Sequence, residues 1–571
     1  MKVHPMPATT QPTMKTATQT YRILVADDFA QEGIDFLKNQ PDVELEFRPK
    51  GKLETPAFTE TIAPIMHEYD GMIVRSGIKV TAKMLEGAAA KPGGSKMRVI
   101  ARAGVGVDNI DLGAATAKGI LVMNSADAST ISTAEHAFTL MMALARNIGP
   151  AYKGMCEGKF DRKLIGRQLH GKTLGVIGFG RIGRTVAERA LAFGMNIVGY
   201  DPMINAPTML DGKARMFTDF SALLPHADIL TFHVPLNDQT KGMLNAETFK
   251  LCREGVLVVN ASRGGVIDED SIVPAIESKK CGGAALDVFV TEPLPADSKL
   301  RNHPQILTTP HLGASTKEGQ EAVSIAAAQQ VLTYLRGEGI IGAVNAGGMR
   351  VDLDPLQNAY VDLAGRMAEL VSPMITRGIA SITVELNGKQ LAPAAGTIER
   401  TALVGLLKRH MDVPINVISA SHVATQRGII LRTHKTEDET VGTRLTLTVQ
   451  GPAGSTDDNT LPGDEVRRVV GRVYNDLRPR VVEINGYHMD MIPSGSMVLI
   501  QNEDRPGMIG TVGTEFGEAK ANIADMTISR RGNTALMLLK IDGDAPEALI
   551  NRLKHRPGIL KVATVNLPAV K

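Results

Sequence analysis

Only three cysteines, Cys156, Cys252 and Cys281, occur in 571 residues, an odd number at wide spacing without any C-x-x-C pair. Neither a disulfide framework nor a zinc site is indicated, and a reducing, cytoplasmic compartment is expected. Charge of one sign is also missing: 63 basic residues face 61 acidic ones for a net charge of +2. No global field would steer nucleic acid or an anionic membrane, so the expected partner is a small molecule. No apolar run approaches the roughly 20 residues of a membrane span, and the N-terminus lacks the apolar core of a signal peptide. Residues 1–20 are Thr- and Pro-rich, without acidic residues or arginine. They read as a disordered tail, with a transit peptide and a start at Met14 as alternatives. Asn260-Ala261-Ser262 matches a glycosylation sequon by chance, because it follows a buried-looking strand in a chain without an export signal.

What is present is a dinucleotide fingerprint. In TLGVIGFGRIGRTVAERALAFG (173–194) an apolar β-rich run leads into Gly178, Gly180 and Gly183, and a helix-like segment follows. The first glycine makes the turn, the second lets the backbone approach a pyrophosphate, and the third lets helix and strand pack closely. A second strand, NIVGY, ends at Asp201, eighteen residues past the last glycine. A carboxylate there binds a ribose diol and repels a 2′-phosphate, which favours NAD over NADP.

The length predicts three or four domains. From Tyr21, β-rich runs alternate with helix-like segments, a small flavodoxin-like α/β domain with a parallel sheet. Two of its strand ends carry arginines, Arg75 in IVRSGIKV and Arg102 in ARAGVGVDNID. Such arginines point into the ligand crevice of α/β folds, with a solvent-facing role as the alternative. A helix over 132–147 leads into the nucleotide domain. Beyond the fingerprint, strands at 227–234, 255–262, 282–289 and 305–315 each end in a loop with a distinctive polar residue. Arg263, Asp287, Glu292 and His311 therefore converge beside the cofactor. A helix over 316–336 packs back on the first domain. The expected division is a Rossmann-type domain, 126–311, inserted in a discontinuous substrate domain, 21–125 and 312–345.

GEGIIGAVN (337–345) marks a boundary. Residues 346–495 mix helix and strand as an α+β domain without a catalytic constellation; His410, His422, His434 and His488 are scattered singly. Residues 496–571 run β-α-β-β-α-β, the ferredoxin-like order, with Pro506 placed at the first helical position. The loop NEDRPG (502–507) feeds that helix N-terminus, a place for a small carboxylate or simply a turn.

Hydride transfer to a nicotinamide needs a substrate clamp, a base and a group to orient the base. Arg263, in NASRGGVIDE, offers a planar fork for a carboxylate. His311, in PHLGAS, can exchange the hydroxyl proton, and Glu292, in DVFVTEP, can hold one imidazole nitrogen. The reaction that uses this set is oxidation of a 2-hydroxy acid, or its reverse.

GFGRIGRTVA, VVNASRGGVIDE, AALDVFVTEP and TPHLGASTKE resemble the signature blocks of the D-isomer-specific 2-hydroxyacid dehydrogenases, over residues 21–345. The resemblance implies Arg263, Glu292 and His311 as catalytic residues. It implies cofactor contacts at Arg181, Ile182, Asp201, Val234, Ala261, Asp287 and Gly313, beside the three glycines. Glu292 stands where the formate-oxidising branch carries Gln. RSGIKVT, ARAGVGVDNID and GILVMN are similar to the long-form branch that oxidises D-3-phosphoglycerate at the start of serine biosynthesis. There an intervening domain and a C-terminal ACT domain follow the catalytic unit. That likeness implies Arg75, Asn109 and Arg102 at the substrate's phosphate end, a homotetramer with paired ACT domains, and L-serine as a candidate effector. ACT domains that bind serine often present His and Asn before the R-P-G turn; here Asn502, Asp504 and Asn522 occupy the corresponding region. The alternatives are a glyoxylate or hydroxypyruvate reductase and an NAD(H)-sensing binding protein.

Overall fold

The first apolar runs form a five-stranded parallel sheet: β1 (Tyr21–Ala26), β2 (Val43–Arg48), β3 (Gly71–Val74), β4 (Val99–Arg102) and β5 (Leu121–Asn124), in the order 2-1-3-4-5. The computed structural model describes residues 20–89, 96–350, 352–375, 378–411, 415–451 and 466–570. The tail expected at 1–20, its last residue excepted, and the alternative start at Met14 lie outside the described residues. All four residues of β3 are buried, as parallel strands covered on both faces must be. Phe58, Ile62, Met84 and Leu85 cover one face, while Ile34, Leu37 and the helix Lys317–Leu335 cover the other. That helix starts after Thr316, whose hydroxyl accepts from Gly319 N at 2.9 Å. The glycine-rich segment after it docks on the edge of β5. Asn124 N donates to Gly342 O at 2.9 Å, and the Asn345 side chain accepts from Val122 N and donates to Ile120 O.

The second sheet contains β6 (Thr173–Ile177), β7 (Asn196–Tyr200), β8 (Thr208–Met209), β9 (Ala214–Phe217), β10 (Ile229–Phe232), β11 (Val256–Asn260), β12 (Cys281–Leu286) and β13 (Ile306–Thr308). Its order is 13-12-11-10-6-7-9-8, parallel except for β8. Strand order reverses between β6 and β10, so a crevice opens there at the carboxyl ends. The long helix expected over 132–147 spans Thr130–Ala145 and packs on β11 and β12.

After the boundary, Asp354 and Gln357 form a capping box with Pro355 at the first helical position, starting the helix Pro355–Val371. This helix and Ala395–Leu407 pack on a six-stranded mixed sheet: β14 (Ser381–Asn387), β15 (Ile430–Thr436), β16 (Arg444–Gln450), β17 (Val466–Val473), β18 (Pro479–Ile484) and β19 (Tyr487–Met491).

The last unit is an antiparallel sheet of β20 (Gly495–Glu503), β21 (Ile523–Arg531), β22 (Thr534–Ile541) and β23 (Ile559–Leu567), in the order 21-22-20-23. Val498, Ile500, Met537 and Leu539 face the helices Met508–Glu518 and Glu547–Lys554. Their neighbours Met497, Leu499, Leu536 and Leu538 point the other way and join the core of the preceding domain. Arg366, on the helix Pro355–Val371, ties the two together: its guanidinium donates to the carbonyls of Pro493, Pro568 and Ala569 at 2.9, 2.6 and 3.2 Å. One local expectation fails. Pro506 lies in a turn, and the helix begins at Met508 because Gly507 takes φ 90°, which only glycine adopts easily.

Candidate active site

The dinucleotide turn joins β6 to the helix Arg181–Ala192. Gly178 has φ 89°, and a Cβ on it would stand 2.5 Å from His233 O. A Cβ on Gly183 would stand 2.0 Å from Gly178 O, so helix and strand approach as closely as backbones allow. Over Gly180 a Cβ would meet nothing, and no side chain caps that helix. The first N–H groups of the helix are therefore open to a ligand, which fits a pyrophosphate. Asp201, just past β7, accepts from Phe179 N and Met203 N at 2.9 Å each, which fixes its carboxylate beside the turn. Gly183→Ala is expected to cost about 1–3 kcal/mol of stability through overpacking and to weaken NADH binding. An unchanged melting temperature and NADH titration would contradict the close approach.

Across the crevice, His311 Nδ1 and Glu292 Oε2 are 2.8 Å apart. A carboxylate only accepts, so Nδ1 carries the proton and Nε2 is left as the acceptor. Burial works against the charged Glu292, but bonds from His311 and from Phe289 N (3.1 Å) outweigh it and hold its pKa below the ordinary value. His311 sits at φ 56°, a left-handed conformation that a non-glycine residue keeps only when its surroundings impose it. Asp287 imposes it. This fully buried carboxylate accepts from the Thr309 hydroxyl, Leu312 N and Gly313 N at 2.6, 2.8 and 2.9 Å, and its own carbonyl accepts from His311 N. His136 Nε2 lies 3.1 Å from the same carboxylate. Against desolvation, these partners keep the Asp287 pKa low. The structure thus gives Asp287 and Gly313 the task of shaping the histidine loop.

The opposite wall is cationic. Arg263 donates from Nη1 to Ser262 O at 2.7 Å and from Nε to Asp108 Oδ2 at 3.1 Å. Burial, with Arg263 and Arg75 nearby, lowers the Arg102 pKa to about 10, while Asp108 and Asp27 pull it the other way. Arg102 Nε is buried without a hydrogen-bond partner. Three guanidinium groups from two domains therefore share one crevice, a charge arrangement that an anion relieves. Arg75 donates to Asp28 O at 3.0 Å. Asn109 braces the Arg75 loop, its amide donating to Arg75 O and Ile78 O at 2.8 Å each.

Val234 and Ala261 are buried at strand ends beside the turn. Arg181 is exposed and pairs with Asp127 at 2.6 Å, and Ile182 follows it at the helix start. Three neighbours were not singled out from the sequence: Asp108, His136 and His233. Burial takes the pKa of His233 down to about 4, so it is neutral, with Nε2 on the Thr231 hydroxyl and Nδ1 unpartnered. Its place directly before Val234 was the available signal. In the last domain, buried Asn502 donates to Glu503 O and leaves Oδ1 unpartnered, Asp504 pairs with Arg530 at 3.4 Å, and Asn522 donates to Asp542 at 2.7 Å.

Three family models match the chain: the D-isomer specific 2-hydroxyacid dehydrogenase NAD binding domain over 138–313, the D-3-phosphoglycerate dehydrogenase intervening domain over 357–485, and the ACT domain over 496–558. The D-3-phosphoglycerate dehydrogenase of Methanocaldococcus jannaschii is 36% identical over 550 residues, 96% of this chain and all of that protein. That of Bacillus subtilis is 34% identical, with the same coverage. Among solved structures, the TT0316 protein from Thermus thermophilus matches with a TM-score of 0.50 at 30% identity, covering 57% of this chain and 99% of its own. A glyoxylate reductase from Paecilomyes thermophila matches with a TM-score of 0.51 at 28% identity, covering 57% and 98%.

Proposed function

Since the chain belongs to the D-3-phosphoglycerate dehydrogenase family, within the D-isomer-specific 2-hydroxyacid dehydrogenases, we infer that Arg263, Glu292 and His311 form its catalytic set. The protein is an NAD-dependent dehydrogenase that oxidises D-3-phosphoglycerate to 3-phosphohydroxypyruvate, the first step of L-serine biosynthesis. One observation carries the site assignment: the Arg263 turn packs against the loop that holds the His311–Glu292 pair, since a Cβ on Gly264 would collide with the backbone of Phe289, and Arg102 and Arg75 lie near Arg263.

NAD, when bound, accepts the hydride from the substrate's C2. Gly178, Gly180, Arg181, Ile182 and Gly183 would hold its pyrophosphate, Asp201 its ribose, and Val234 and Ala261 its nicotinamide side. Arg263 grips the substrate carboxylate and polarises the adjacent carbon–oxygen bond. His311 Nε2 takes the hydroxyl proton, and Glu292 stabilises the resulting imidazolium through Nδ1. Arg75 and Arg102 receive the phosphate, with Asn109 shaping the Arg75 loop. The two anionic ends of the substrate thereby fall to guanidinium groups on separate lobes.

We further propose that 21–125 with 312–345 binds substrate and that 126–311 binds cofactor. L-serine acts at Asn502, Asp504 and Asn522, and the working form is a homotetramer in the cytoplasm. Supporting assembly, Ile165 and Phe160, 87 and 75% exposed, line a groove of about 820 Å³, and Tyr152 on the adjoining helix is 72% exposed. The three cysteines are free, which fits a reducing compartment. No helix among the described residues is long and apolar enough to cross a membrane.

The test is NADH formation on adding D-3-phosphoglycerate and NAD to the purified protein, with and without L-serine. Phosphoglycerate-dependent NADH that falls with serine is the expected result. Turnover of glyoxylate or hydroxypyruvate instead would overturn the substrate, and a serine-insensitive rate would remove the effector assignment.

A further inference from the structure

A guanidinium grips a carboxylate bidentately only when its planar fork is aimed, and the loop that carries Arg263 aims it incompletely. Nη1 donates to Ser262 O at 2.7 Å, one bond within the same turn. The second restraint comes from the other lobe. Asp108, in the loop between β4 and the helix Leu112–Ala117, accepts from Arg263 Nε at 3.1 Å although 155 residues separate the two. Gly106 makes the approach feasible: a Cβ there would stand 2.1 Å from Arg263 Nη2 and 2.7 Å from Asp108 Oδ2.

We propose that Asp108 is a positioning residue for the reaction. By holding Nε it turns the Nη edge of Arg263 toward the substrate carboxylate, and because it belongs to the opposite lobe it couples that alignment to closure of the cleft. The proposal rests on Arg263 being the carboxylate clamp. Two further observations support it. Asp27, the other carboxylate of this crevice, is already engaged by Asp28 N and Gly77 N at 2.8 and 2.6 Å. That leaves Asp108 as the acidic group bonded to the clamp. Its side chain is also 72% exposed against 24% for Arg263, so the pair adds little stability and its worth lies in orienting the guanidinium.

A rival role makes the opposite prediction. If Asp108 instead occupied the place of the substrate carboxylate, its removal would lower KM and leave kcat unchanged. The experiment compares Asp108→Ala, Asp108→Asn, Arg263→Lys and the double variant Asp108→Ala/Arg263→Lys, by steady-state kinetics with D-3-phosphoglycerate and by NADH fluorescence titration. Misaiming the clamp should lower kcat by about 10- to 100-fold in Asp108→Ala with NADH affinity unchanged. Asp108→Asn, which still accepts from Nε, should recover most of that loss. The double variant should be no slower than Arg263→Lys alone. An unaffected kcat in Asp108→Ala, a fall in KM, or losses that multiply in the double variant would overturn the positioning role. A silent Arg263→Lys would overturn the clamp itself, so the two failures are told apart.

Discussion

His311→Ala is expected to lower kcat by about 10²- to 10⁴-fold, the contribution of a positioned general base, while NADH binds nearly as before. The separation follows from the structure around the loop. The left-handed backbone at His311 is imposed by Asp287 through Leu312 N, Gly313 N and the Thr309 hydroxyl, none of which involves the imidazole. Truncation therefore removes Nε2 and leaves the loop in place. The cofactor cradle at Gly178 to Gly183 lies on another strand end and should not register the change. Steady-state kinetics with a parallel NADH titration would check this. Turnover within tenfold of the parent would take the base role from His311, and a matching loss of NADH binding would make the residue structural.

Arg263→Lys should lower kcat/KM by about 10²- to 10³-fold, the cost of deleting one preorganised donor to a developing charge. Lysine keeps the charge but not the fork. It cannot at once reach Ser262 O, Asp108 and a substrate carboxylate, whereas the guanidinium holds the first two from Nη1 and Nε and keeps a further edge for the third. A rise in KM alone would mean that Arg263 only binds. A fall in kcat as well would mean that it also polarises the reacting carbon–oxygen bond. Unchanged kinetics would remove it from the site.

Much of this site was readable before any coordinates, because its parts obey short-range rules. Gly178, Gly180 and Gly183 declare themselves by spacing; Gly178 and Gly183 meet the steric circumstance that spacing implies, and the space over Gly180 is open. The strand-end positions of Arg263, Glu292 and His311 follow from a doubly wound sheet. Pairings across long stretches of chain were not readable. Asp108 stood unnoticed beside Asn109, although a carboxylate inside an arginine-bearing loop asks for a cationic partner. Asp287 is expected on the nicotinamide side from its strand end, but that it also braces the histidine loop is not, because the three donors converging on it come from a turn more than twenty residues away. At Pro506 the helix start was misplaced by two residues, because proline's fixed φ suited the first turn while the left-handed Gly507 delayed it.

The shared core of the last two domains bears on where the chain can be cut. Met497, Leu499, Leu536, Leu538, Val565 and Leu567 lie under the preceding domain rather than in water, and Arg366 pins the final carbonyls to its helix. A gene fusion that carried off only residues 496–571 would present a greasy sheet to solvent and strand a buried guanidinium in the donor. The last two units therefore keep their fold as one piece. A cut near residue 346 keeps that shared core whole but uncovers Ala346 and Ile418, which pack in the core of the first sheet.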